Sequence, residues 1–155
     1  MRYILIIGGT KGIGKAIIDL LIEENNITCM SRNVYDYSHE NYNHIQLDAT
    51  LDNFPDLENI DSLVYCPGSI NLKPISTLSI EDFRNDFELN VIGAVKSIKK
   101  YLPLLKKGIN PSILLFSTVA TKLGMPYHAS VSASKSAIDG IVKTLGAELA
   151  PKIRI

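Results

Sequence analysis

The stretch RYILIIGGTKGIG, Arg2 to Gly14, constrains this chain more than any other. It opens with an apolar run of strand length that does not alternate, as a strand buried on both faces requires. Glycines follow at 8, 9, 12 and 14, and Ile13, Ala16, Ile17, Leu20 and Leu21 then recur at helical spacing. Strand, glycine turn and helix in that order make a βα unit. A plain strand-to-helix turn also favours glycine. Placed directly after a buried strand, though, the glycines let an anionic group approach backbone N–H groups at a helix N-terminus, which points to a nucleotide.

The rest of the chain repeats the alternation. ITCMS is a second strand, after a helix closed by Asn25 and Asn26, and RNVYDYSHENYN reads as a polar loop. HIQLDAT is a third strand, and DSLVYCPG a fourth that ends in a Pro-Gly breaker. A long helix is expected over Ser79–Lys107, kinked or ended by Pro103. PSILLFST is a fifth strand, Ser132–Ala150 a helix stopped by Pro151, and KIRI the start of a sixth strand. Such spacing predicts an α/β fold with a doubly wound parallel sheet and helices on both faces, in one domain over residues 1–155.

Composition narrows the partners. Lys+Arg and Asp+Glu both number 16, and no basic run or acidic tail is present, so neither nucleic acid nor a charged surface is an expected partner. MRYILIIGG is too short for a signal-peptide core or a membrane span, so no membrane association is expected. The two cysteines, Cys29 and Cys66, lack metal-ligand spacing, and no metal site is expected. They read as reduced thiols of a cytoplasmic protein.

Five motifs in order resemble the short-chain dehydrogenase/reductase family, from Arg2 to Ile155. They are Gly8-x3-Gly12-x-Gly14, HIQLDAT, LVYCPG, ELNVIGAV and ILLFSTVA with VSASKSAIDGIVKTLGAELAP. The resemblance implies a Rossmann-type fold whose C-terminal part, a substrate-covering helix pair and a last strand, is missing from these 155 residues. It implies cofactor binding by Gly8, Thr10, Lys11, Gly12, Ile13 and Gly14 of the turn and by Ser31 and Arg32 after the second strand. Asp48 would contact the adenine, with Ala49 beside it; Gly68 and Lys135 would face the nicotinamide end. Of the family's Asn-Asn-Ala-Gly motif only Gly68 survives. The resemblance also implies a homo-oligomer, dimer or tetramer. Its interface would use Ser79–Lys107 and Ser132–Ala150, with Phe83, Phe87, Ile138 and Ile141 contributing.

Charge selects the cofactor. An NAD enzyme places a carboxylate at the end of the second strand. This strand ends CMSRN, where Arg32 can fork onto a 2′-phosphate and Lys11 can add a second charge, while Asp36 and Glu40 come too late. NADP is the expected cofactor.

The proton donor is the departure. The family uses a tyrosine four residues before the lysine, on one helix face, with a serine on the preceding strand end. Here Val131 stands before Lys135, and Thr118 stands thirteen residues ahead of Val131. Asn90 matches the family residue that holds a proton-relay water. Tyr127 is the stand-in candidate: divergent enoyl reductases of the superfamily use Tyr-x6-Lys, and here the spacing is one residue longer. Eight residues rotate about 80° around a helix against about 20° for seven, so Tyr127 must lie ahead of the helix to reach inward. A phenol at position 131 is expected to project toward the open substrate side. Ser132 and Ser134 read as capping or packing residues, and His128 as a surface residue. Two readings follow: an NADP-dependent oxidoreductase acting on a carbonyl or enoyl small molecule, or a non-catalytic NADP-binding protein, a sensor or partner subunit, on the same fold.

Overall fold

The computed structural model describes residues 1–34 and 37–155, so Asp36 lies outside the described residues. β1 (Tyr3–Ile7) leads through the glycine turn into α1 (Gly12–Leu21), and β2 (Asn26–Ser31) and β3 (Tyr42–Gln46) follow. Next come β4 (Ser62–Tyr65), α2 (Ile80–Phe87), a π-helical turn (Glu88–Ile92) and α3 (Gly93–Leu105). β5 (Ser112–Leu115), a 3-10 turn (Val119–Thr121) and α4 (Ala129–Leu149) complete the described elements.

Among the described residues the strands form one sheet in the order β3-β2-β1-β4-β5, and every pairing is parallel. β1 is central, between β2 and β4, as its apolar run requires. Arg154 makes a parallel bridge to Ser112, so KIRI begins a further strand position outside β5. Successive side chains of β1 serve opposite faces. Leu5 and Ile7 join Met30, Leu63, Tyr65 and Ile113 under α3 and α4. Ile4 and Ile6 join Ile27, Cys29 and Val64 under Ile18 and Ile22 of the α1 segment. Helices therefore cover both faces. Each such buried aliphatic side chain contributes about 1.5–3 kcal/mol.

Several boundaries differ from the sequence reading. β3 starts earlier, at Tyr42, which leaves Asp48 and Ala49 in the turn beyond it. Asn26 opens β2 instead of closing α1. α4 starts at Ala129 rather than Ser132, so both Val131 and Lys135 are helical. The expected single helix over Ser79–Lys107 is divided. Ser79 caps α2 through a reciprocal pair: its hydroxyl accepts from Asp82 N at 3.0 Å, and Asp82 accepts from Ser79 N at 2.9 Å. The π turn then separates α2 from α3. Its cause lies on β4, where the buried Tyr65 hydroxyl donates to Leu89 O at 2.6 Å. A Cβ at Gly93 would overlap that hydroxyl, so only glycine follows the turn. Pro103 sits inside α3, which ends at Leu105. Ile138, expected at an oligomer interface, is 2% exposed within the core of its own chain.

Candidate active site

The strand order reverses between β1 and β4, and there the carboxyl ends of the strands open a crevice. A cavity of about 350 Å³ fills it. The glycine turn contributes Gly8, Thr10, Lys11, Gly12, Ile13 and Gly14; the β2 end contributes Ser31 and Arg32. Asp48 and Ala49 line it beyond β3, and Cys66 and Gly68 beyond β4. Sequence and space thus bring together residues from four separated segments. Gly12 needs its glycine because its φ is +57°, and Gly14 because a Cβ there would overlap the Gly8 carbonyl oxygen. Lys11 caps α1 in extended conformation without a side-chain bond, which leaves the first N–H groups of the helix to the cavity.

The β2 end is held from β3. His44 Nε2 lies 2.8 Å from Ser31 Oγ, and Gln46 Nε2 donates to Arg32 O at 2.9 Å. Ser31 Oγ also donates to Asn33 O, so its hydroxyl is committed to the fold. Burial pushes the His44 imidazole below its ordinary value, which keeps it neutral. Asp48 accepts from Thr50 Oγ1 at 2.6 Å and Thr50 N at 2.9 Å, and the hydroxyl bond chiefly holds its carboxyl below the usual range, with Arg32 assisting. No sequence signal pointed to His44 or Gln46. They are alternate positions of an edge strand and read as plain surface.

The other end of the cavity gathers around Gly68. Lys135 Nζ donates to Phe116 O at 2.9 Å, and burial lowers its pKa. Asn90, 1% exposed, donates through Nδ2 to Ser69 Oγ (3.0 Å), Asp86 O (2.9 Å) and Ser134 Oγ (3.3 Å). Its Oδ1 is buried without a partner among the described residues. A Cβ at Gly68 would stand 3.3 Å from Asn90 Oδ1 and 3.5 Å from Lys135 Nζ, so Gly68 leaves open the space those two groups share. Cys66 has its thiol pushed up to about 12, first by burial and then by Cys29.

Thr118 caps the 3-10 turn, its hydroxyl accepting from Ala120 N at 3.3 Å and keeping its own proton to donate. Val131 is 6% exposed. The Val131→Tyr variant is what tests the expected projection of a phenol toward the open substrate side. Tyr127 does precede the helix. It is 59% exposed, has φ +67°, and lines a second cavity of about 680 Å³ with Lys73, Ile75, Met125, Pro126 and His128. The two cavities share no lining residue among those described. Ser132 donates to Ala120 O and Ser134 to Val131 O, which are the packing roles expected of them.

Residues 44–155 match the short chain dehydrogenase family model. An uncharacterised oxidoreductase of Schizosaccharomyces pombe is 25% identical over 162 residues; the match covers 95% of this chain, which spans 65% of that relative's length. Cyclopentanol dehydrogenase of Comamonas is 25% identical over 169 residues, covering 97% of this chain and 68% of the relative. The crystal structure of a short chain dehydrogenase family protein from Francisella tularensis superposes with a TM-score of 0.87 at 26% identity, over 100% of this chain and 67% of that one. With its parallel sheet, its glycine turn at the strand switch and a family match over most of its length, the chain belongs to the short chain dehydrogenase family.

Proposed function

We propose that the chain is an NADP-dependent oxidoreductase acting on the carbonyl or enoyl group of a small molecule. The observation that carries this reading is the cavity at the strand switch, where the glycine turn, two cations and the Gly68–Lys135 space meet. The residues fit the cofactor. Gly12 and Gly14 keep the turn low, uncapped N–H groups of α1 meet a pyrophosphate, and Arg32 with Lys11 neutralises a 2′-phosphate. Asp48 and Ala49 border the adenine end. Lys135 holds the nicotinamide ribose, and the unpaired Asn90 Oδ1 beside it accepts from a water in the relay. NADPH, when bound, supplies the hydride. Thr118 donates to the substrate oxygen, and Tyr127 reaches in from the neighbouring cavity as the acid.

A second reading, a non-catalytic NADP-binding sensor or partner subunit, is favoured by one feature: Val131 puts a buried hydrocarbon where the family has its acid. In either case the protein works in the cytoplasm and as a homo-oligomer, with α2 offering Phe87 at its surface. Among the described residues no helix is long and apolar enough to cross a membrane.

Fluorescence titration with NADPH and NADH tests the cofactor, with tighter NADPH binding expected; equal affinities remove the argument from Arg32 and Lys11. Initial rates of the native chain and Tyr127→Phe then test the acid. A rate untouched by Tyr127→Phe excludes that residue.

A further inference from the structure

Arg32, the cation set against a 2′-phosphate in the reading above, has its backbone fastened from the neighbouring edge strand. Gln46 Nε2 donates to Arg32 O at 2.9 Å. The buried Ser31 hydroxyl lies 2.8 Å from His44 Nε2 and donates to Asn33 O at 2.9 Å. Because Ser31 gives its proton to Asn33 O, the His44 imidazole is the donor in its pair, through Nε2–H. Ser31, Arg32 and Asn33 all line the cavity, and each is held by one of these bonds. His44 and Gln46 are alternate residues of β3 and so share one face of that strand. The Arg32 side chain itself is exposed and makes no ion pair among the described residues. Asp48, whose carboxyl feels the Arg32 charge, accepts instead from Thr50 Oγ1 at 2.6 Å and Thr50 N at 2.9 Å. Arg32 thus has a fixed root and a free, charged end.

We propose that His44 and Gln46 are positioning residues that give the site its preference for a 2′-phosphorylated cofactor. The proposal rests on the NADP reading above and adds to it the part that the edge strand plays. Neither side chain meets the phosphate; each acts through the backbone of residues 31–33. A guanidinium fork on a phosphate is directional, so NADPH depends on how Arg32 is aimed. Presenting that fork from a fixed root also leaves less freedom to be lost on binding. NADH carries a ribose hydroxyl at the same place and gains little from the cation. Loosening the root therefore weakens one cofactor and spares the other, which general damage to the fold would not do.

The test is calorimetric titration of the full chain with NADPH and with NADH, read as the ratio of the two dissociation constants. Gln46→Met keeps the side chain's length but cannot donate to Arg32 O. It should weaken NADPH binding about threefold to fivefold with NADH unchanged, as loss of one exposed hydrogen bond implies. His44→Leu should act likewise, and His44→Gln, which returns an amide donor toward Ser31, should restore most of the preference. The double variant should lose about tenfold, no more than Arg32→Ala, because both routes end at one guanidinium. Adding Gln46→Met to Arg32→Ala should then change nothing further. Equal affinities of the native chain for NADPH and NADH refute the NADP reading itself. Where the native chain prefers NADPH, three results overturn the positioning role. They are a ratio that survives Gln46→Met and His44→Leu, an equal loss for both cofactors, and a further loss when Gln46→Met joins Arg32→Ala.

Discussion

At the glycine turn, backbone makes the site: Gly12 takes a left-handed φ, Gly14 lets α1 close on Gly8, and the helix offers its first N–H groups. Around Lys135 side chains make most of it, from the segment after β4, the π turn and α4, and the end of β5 adds the Phe116 carbonyl that Lys135 donates to. A backbone site tolerates few substitutions, because at Gly14 a Cβ would overlap the Gly8 carbonyl and at Gly12 the left-handed φ strains any other residue. A side-chain site is open to exchange, provided each buried polar atom keeps a partner. The two ends of the crevice should therefore respond to substitution in different ways.

The comparison is broken most directly at the turn. Gly14→Val should cost about 3 kcal/mol or more, since the new Cβ overlaps the Gly8 carbonyl, and should abolish NADPH binding. Thermal denaturation with a binding titration measures both, and an unchanged melting temperature would mean that the backbone there yields. At the other end, Val131→Tyr should destabilise by about 2 kcal/mol through overpacking, given the 6% exposure of Val131. A variant as stable as the native chain would reveal room toward the crevice.

Smaller effects sharpen the contrast. Arg32→Ala should weaken NADPH binding about tenfold and leave NADH almost unaffected, as loss of a charge-assisted contact worth about 1.5 kcal/mol requires; calorimetry with both cofactors decides it. Tyr65→Phe should cost about 1 kcal/mol in chemical denaturation, because Leu89 O loses its donor. A variant without loss would detach the π turn from β4. The slightest effect belongs to His44. Burial holds its folded pKa below the ordinary imidazole value of 6.5, so between the two values the unfolded chain binds more protons than the folded one. Stability should therefore rise with pH through that window and be lost as pH falls through the folded value. His44→Gln should flatten this slope, and a denaturation series across mildly acidic pH would detect a slope that persists.

The sheet was legible in the sequence because β1 and β4 are largely apolar runs, and because glycine, Asn26 and Pro151 punctuate the chain close to where elements change. The turn residues of the cavity were legible for the same local reason. Tyr65, Ser69 and Asp86 were not. Their meaning depends on partners 17 to 24 residues away across the fold, as in Ser69 with Asp86 and Tyr65 with Leu89. The π turn is invisible to a helical-periodicity reading, which took residues 79–107 as one helix. The burial of position 131 was not legible for a related reason. Periodicity places it on the Lys135 face but says nothing about how tightly α4 packs there.

The π turn has a consequence for length variation in this chain. A residue added to or removed from a helix rotates everything downstream by about 100°. The apolar stripe of α3, Ile98, Tyr101 and Leu105, meets the sheet only in the phase that the turn over Glu88–Ile92 sets. The i→i+5 turn takes up one residue more than an α turn, so deleting one residue from it would give an unbroken α-helix that keeps Tyr101 close to its present phase. Between Phe87 and Gly93 the chain should therefore tolerate the loss of one residue better than the gain of one.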